Sequence, residues 1–255
     1  MPNHSTWLTF FLGGLKENLE RNTSIIGDSV VNGHPPTWAS FEPIVAAIFV
    51  AIVVLILAFL ARARLTRLDD SVIPDDKLTL RTFMEVFLGY FYDLAKSMMG
   101  ADRAKKYFPI IGTSAIFVFF ANVMALLPGM PVATSSLNIT LGCAAVVFIL
   151  FNLYGIKANG MAYIKHLAGP AWYLAWLVFP IEIISLCVRP VTLAVRLMLN
   201  MSVDHLILGI FTSLVVLLVP IPFMILGCLV VLIQTLVFTL LTTIYISLAT
   251  EHDHH

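Results

Sequence analysis

The sequence predicts an all-α polytopic membrane protein: about three spanning helices, an amphipathic helix on the inner surface, and a long, tilted C-terminal helical hairpin. Three observations carry this. The 255 residues are 59% hydrophobic and 12% charged, with a mean hydropathy of +0.93, whereas a soluble domain carries about 25% charged residues. Uncharged runs of spanning length recur along the chain. Basic residues are also segregated: residues 62–106 hold nine of the fifteen Lys and Arg, and none lies between Tyr107 and Ile156. Because basic loops stay on the cytoplasmic side, the 62–106 segment is expected inside and the N-terminus outside.

Residues 1–39 are polar and broken by Gly13, Gly14, Gly27, Gly33, Pro35 and Pro36. They form an external N-terminal segment, and residues 40–255 form a single membrane domain. The short run around Trp7, Phe10, Phe11 and Leu15 lacks the basic leader of a signal peptide. It fits either a helix lying flat on the membrane or a disordered tail.

Pro43 to Ala61 is uncharged and is followed by Arg62, Arg64 and Arg67, as expected of a first span that ends inside. Leu78 to Met99 alternates apolar and polar positions at helical spacing, with Arg81, Glu85, Asp93 and Lys96 among aromatics. It is too charged to span. An inner-surface amphipathic helix is the expectation, with a helix docked on a soluble partner as the alternative.

Spans over 107–127 and 138–156 are joined by a short uncharged connection. Pro128, Gly129 and Pro131 end one helix there, and Ser135, Ser136 or Asn138 can cap the next. Lys157 and Lys165 return the chain to the inner face. Asn122 and Asn152 lie inside these spans, where amides usually make packing contacts between helices.

The last third holds helices over about 181–219 and 223–250, separated by Pro220, Ile221 and Pro222. At 1.5 Å per residue they would reach roughly 55 and 40 Å, against a hydrocarbon core of about 30 Å. Either they tilt strongly, which is the preferred reading, or Pro190 divides the first. The C-terminus then lies in the cytoplasm.

The first of these helices carries the functional signal. On a helical wheel Glu182, Ser185, Arg189, Thr192, Asn200 and Asp204 all fall within about 80° of Arg196. A guanidinium stays charged at physiological pH, and placing one at mid-membrane costs roughly 2.5–3.5 kcal/mol even on insertion scales. Such a stripe must face a cavity or a polar partner. For Glu182 and Arg189 two readings stand: an ion pair that glues helices, or groups that share water at the inner end.

The run RPVTLAVRLMLNMSVDHL at 189–206, the span TLGCAAVVFIL preceded by SSLNI, and the closing LIQTLVFTLLTTIYISLATEH resemble subunit a of the rotary F-type ATP synthases. The most specific element is Arg-Leu-x-x-Asn, followed 38 residues after the arginine by a lone Gln in the last helix. The resemblance implies a non-catalytic stator subunit in a bacterial plasma (inner) membrane. It would form two proton half-channels beside a ring of c subunits and assemble with peripheral-stalk b subunits and the remaining subunits. Arg196 would face the ring carboxylates, Asn200 and Gln234 would lie close to it, and Glu182 would serve the cytoplasmic half-channel. Arg189 and Ser185 are auxiliary candidates on the same face.

The outer half-channel departs from the family pattern. Many bacterial relatives have Gly and an acid at the eighth and ninth positions after the arginine and a His seven positions before the Gln. Here those positions hold Asp204, His205 and Gly227. Asp204 and His205 keep a carboxylate and an imidazole on one helix. His205 projects about 180° from Arg196 and is expected at the outer mouth, with helix packing as the plainer alternative.

Other classes fit poorly. The net charge is zero, giving no sign of a nucleic-acid partner, and Cys143, Cys187 and Cys228 sit in apolar runs that suggest packing. No phosphate-binding glycine loop, catalytic triad or metal-spaced cluster is present, and no cofactor is expected. The terminal Glu251 to His255 run reads as a polar tail. A self-contained secondary transporter using Arg196 for an anionic substrate is the rival, but it predicts an internal repeat that the two halves do not show. A plain membrane anchor leaves the polar stripe unexplained.

Overall fold

The computed structural model describes Gly14 and residues 38–65, 79–127, 130, 132–160, 175–214 and 220–250. The possible surface helix around Trp7, the turn residues Pro128, Gly129 and Pro131, Lys165 and the tail from Glu251 lie outside these residues. Among the described residues the chain is all-helical: α1 Trp38–Leu65, α2 Leu80–Met99, α3 Ala101–Ala125, α4 Leu137–Asn159, α5 Ala175–Leu214 and α6 Pro220–Ala249, with a single 3-10 turn at Ala133–Ser135. Five of them, α1 and α3 to α6, are long and apolar enough to cross a membrane. This is a polytopic helical membrane fold.

The helices begin where the local sequence allows. Thr79 caps α2, accepting from the Thr82 amide at 3.4 Å, and Arg81 closes the first turn with a 2.8 Å ion pair to Glu85. At the other end Gly100 stands alone between α2 and α3 with φ +82° and ψ 163°, a region essentially reserved for glycine. Its amide bonds the Lys96 carbonyl at 3.0 Å. This one-residue break folds α2 back antiparallel on α3. Phe87 meets Phe119 with ring centroids 4.9 Å apart, and Tyr92 meets Phe108 at 5.1 Å. The amphipathic pattern of α2 is met in part within the chain: Met84, Phe91, Ala95 and Met99 are buried and Glu85, Asp93 and Lys96 exposed, but Phe83, Val86 and Tyr90 are exposed as well.

The α3–α4 connection differs in detail from the expected cap. Ser136 occupies the N-cap position of α4, but its side chain makes no capping bond. The Ser135 hydroxyl instead donates to the Val132 carbonyl at 2.9 Å and closes the 3-10 turn. Asn122 ties α3 to this turn by accepting from the Thr134 hydroxyl at 3.2 Å. Asn152 donates to the Phe148 carbonyl of its own helix at 2.8 Å.

The core lies between α3, α4, α5 and α6, around Ile111, Phe151, Leu193, Leu197, Phe238 and Ile246. Ala104, Ala144 and Ala194 are fully buried there, and such small residues let apolar helices approach closely where no water drives them together. α1 is peripheral. Ala46 and Val50 face the protein, while Ile52, Leu55, Phe59 and Leu60 are exposed.

α5 runs unbroken through Pro180 and Pro190, so Pro190 does not divide it. Two residues past Pro190, the Thr192 hydroxyl donates to the carbonyls of Val188 and Arg189 at 3.0 and 2.9 Å. Thr235, Thr239, Thr242 and Thr243 on α6 and Thr250 just past its end are buried, and each donates to the carbonyl four residues back at 2.7–2.9 Å. Their hydroxyls are satisfied without a partner helix, so this polar series can sit inside a membrane protein.

Candidate functional site

The site is built on the α5–α6 hairpin, and its register is set by three contacts. Phe211 stacks on Phe223 at 4.4 Å near the turn. The Asn200 side-chain nitrogen donates to the Gln234 carbonyl oxygen at 2.8 Å in the middle. The Arg189 guanidinium lies over the Tyr245 ring at 5.4 Å farther down. Phe211, Asn200 and Arg189 are eleven residues apart, as are Phe223, Gln234 and Tyr245. Eleven residues make three helical turns, about 16 Å. The two helices therefore keep one antiparallel register over about 33 Å, and Pro190 falls inside that stretch without disturbing it.

Arg196 lies one turn from Asn200 on α5 and is exposed on the surface of the chain. Among the described residues it forms no ion pair. On the same side of α5, Leu199 and Val203 are exposed, and so are Thr192 and Asn200, so the guanidinium emerges from a face that mixes apolar and polar side chains. Gln234, by contrast, is only 4% exposed. It reaches the edge of that face from below, held by Asn200. As oriented, this bond leaves the Asn200 carbonyl oxygen free to accept and the Gln234 amide nitrogen free to donate.

The remaining sequence candidates separate along α5. Glu182 and Asp204 are half-buried, and Ser185 is exposed. Among the described residues Glu182 and Arg189 do not form the ion pair considered from the sequence; Arg189 takes an aromatic partner instead. The side chain of His205 lies outside the described residues, although its backbone continues α5. No group of three or more His, Cys, Asp or Glu with metal-binding geometry occurs among the described residues.

Two features were not found from the sequence. Tyr245 carries no polar-stripe signal of its own; only the basic residue opposite it in register reveals its role. Gly227 is buried, and a Cβ built on it would stand 2.6 Å from the Leu126 side chain at the end of α3. That position of α6 thus faces α3, and Leu126 fills the space a side chain would occupy.

Comparison with known proteins bears on this arrangement. The family model for the ATP synthase A chain matches residues 44–247, which include α3 to α5, all but the last two residues of α6 and every described candidate residue. The chain belongs to that family. It is similar to a protein named ATP synthase subunit a of Sorangium cellulosum, 54% identical over the whole of both chains. A subunit a of Bdellovibrio bacteriovorus is 40% identical over 76% of this chain and 85% of its own. The subunit a of Geobacter sulfurreducens is 43% identical over 69% and 76%. The matched family segment begins within α1 and ends within the last turn of α6. The hairpin with its Asn200–Gln234 bond therefore lies wholly inside the part of the chain that the family shares.

Proposed function

We propose that this chain is the a subunit of a bacterial F-type ATP synthase. It is a non-catalytic stator that conducts protons through two half-channels and so drives rotation of a c-ring. The observation that carries this reading is the exposed Arg196 guanidinium on a helix of membrane-spanning length, with no ion-pair partner among the described residues and one turn from the Asn200–Gln234 bond. A permanent charge on a membrane helix calls for a partner outside the chain. A ring carboxylate at mid-membrane satisfies that demand.

Arg196 then has a defined task. Its charge favours the ionised form of each passing carboxylate, so a proton is released before the carboxylate passes and a fresh one is taken up beyond it. The same charge repels a proton moving straight between the two half-channels. The free Asn200 carbonyl oxygen can accept from the guanidinium and hold it toward the ring, while the free Gln234 amide nitrogen can donate to the carboxylate.

Glu182, with Ser185 and Arg189 nearby on the same face, serves the cytoplasmic half-channel. Asp204 and His205 serve the outer one. The closed space at Gly227 supports that assignment, because it keeps a second titratable side chain off α6 and leaves the outer relay to α5. In this reading the N-terminus is outside, the C-terminus is cytoplasmic, and the chain assembles with c subunits, b subunits and the rest of the synthase in the plasma membrane.

The test is ATP-driven proton uptake by membrane vesicles, followed with a pH-sensitive dye, for Arg196→Ala against the unaltered protein. The yield of intact complex is measured alongside. Loss of pumping in an assembled complex is expected. Pumping near the unaltered rate would remove Arg196 from the path and return the stripe to helix packing.

A further inference from the structure

A cleft between α3 and α4, floored by α6, has a volume of about 320 Å³. It is lined by Ile110, Phe117 and Val118 of α3, Val146, Val147 and Leu150 of α4, and Phe238 at its floor. The hydroxyls of Thr113 and Ser114 also border it, but they donate to carbonyls of their own helix, those of Pro109 and Ile111. The cleft therefore presents an occupant with apolar surface and no unmet hydrogen bond. Val146 is 57% exposed at its mouth, so the cleft opens sideways from the helix bundle.

Charge appears at one end of this cleft only. Lys106 lies four residues from Ile110, about 40° away on the α3 wheel, and Lys157 lies seven residues from Leu150, about 20° away on the α4 wheel. Both lysines thus extend the two faces that line the cleft. Tyr107 and Tyr154 meet across the helices with ring centroids 4.9 Å apart. This contact aligns the two helix ends and brings the lysines to within about 3 Å of the same level. Lys106 and Lys157 are exposed, and neither forms an ion pair among the described residues. The Lys106 ammonium rests 5.3 Å from the centroid of the Tyr107 ring.

We propose that this cleft and its lysine pair form a binding site for an anionic phospholipid. One acyl chain fills the α3–α4 cleft and the phosphate is held between Lys106 and Lys157. Charge complementarity selects this occupant. A partner helix would satisfy the apolar walls but not two ammonium groups at one level, whereas a phospholipid of that leaflet brings its phosphate to the level where its chains begin. Basic pockets at the ends of membrane helices recognise anionic headgroups for this reason.

The test uses the intact assembly reconstituted into vesicles with phosphatidylglycerol or phosphatidylcholine carrying a photoreactive group on one acyl chain. Crosslinked peptides are identified by mass spectrometry. Crosslinks are expected on the 110–118 and 143–150 segments, with phosphatidylglycerol favoured over phosphatidylcholine. Lys106→Gln and Lys157→Gln should each reduce that preference by about five-fold while leaving the apolar crosslinks of phosphatidylcholine unchanged. Val146→Trp, which fills the mouth, should remove both. Equal labelling by the two lipids would overturn the proposal. So would lysine variants that leave the preference intact, or crosslinks from these segments to another polypeptide in place of lipid.

Discussion

Asn200 and Gln234, 34 residues apart in sequence, are joined by a 2.8 Å hydrogen bond between their side chains. One amide is exposed and the other is buried. The bond therefore links the buried side of α6 to the surface where Arg196 stands. It is also the middle of three contacts that hold the hairpin in one register.

Breaking this bond at the buried end leaves Asn200 exposed enough to find another partner, so the cost in stability is modest, about 1 kcal/mol. The functional cost is larger in the proposed mechanism. Gln234→Leu is expected to give an assembled complex whose ATP-driven pumping falls several-fold. Asn200→Leu should do the same. In the double variant the two losses are expected to be less than additive, because each change alone already breaks the bond. Fully independent losses, measured by dye quenching in vesicles, would mean that the two amides act separately.

Arg189 and Tyr245 lock the hairpin one step farther along. A cation over an aromatic face contributes about 0.5–2 kcal/mol, and it depends on the ring rather than the hydroxyl. Tyr245→Phe should leave the thermal midpoint of the detergent-solubilised complex unchanged. Tyr245→Leu should lower it, and Arg189→Gln should lower it no further in the Leu background. An equal loss from the Phe variant would assign the effect to the hydroxyl instead.

The notch at Gly227 sets a steric prediction. A single methyl there meets only the flexible end of Leu126, so Gly227→Ala is expected to cost about 1 kcal/mol or less. A full side chain must displace Leu126 altogether, and overpacking of this kind costs about 1–3 kcal/mol. Gly227→Leu should therefore reduce the recovered complex, and Leu126→Ala should restore it in the double variant. Failure of that rescue would show that something besides Leu126 excludes a side chain at 227.

Asn122 offers a test of buried polarity. It is fully buried, its carbonyl accepts from Thr134, and its side-chain nitrogen has no partner among the described residues. Leaving one buried polar group stranded costs about 1–3 kcal/mol, whereas replacing both partners by apolar groups is nearly neutral. Thr134→Val alone should lower the thermal midpoint. Adding Asn122→Leu should recover most of the loss. A double variant worse than either single one would point to a further partner for Asn122 in the intact assembly.

Much of the architecture was legible in the residues. The uncharged runs around Ile48, Phe117, Val147 and Leu232 demanded helices because an apolar chain in lipid must satisfy its backbone within itself. The residues of the polar stripe stood out because the helical period brings Glu182, Arg189, Arg196 and Asn200 to one side, a pattern that lipid does not tolerate without a reason. These are local properties, fixed by composition and by the 3.6-residue turn.

What only the tertiary structure decided is which stripe meets which. Periodicity gives each helix a face but no neighbour, and nothing in α5 alone says that Asn200 stands opposite Gln234 or that Arg189 turns to Tyr245 instead of Glu182. The sequence likewise did not show that α2 folds back on α3, and gave no cause for a glycine at 227. Those outcomes depend on side chains packing across helices, as Phe87 does on Phe119 and Leu126 does beside Gly227. Complementary volume between distant segments selects such contacts, and no single segment encodes it.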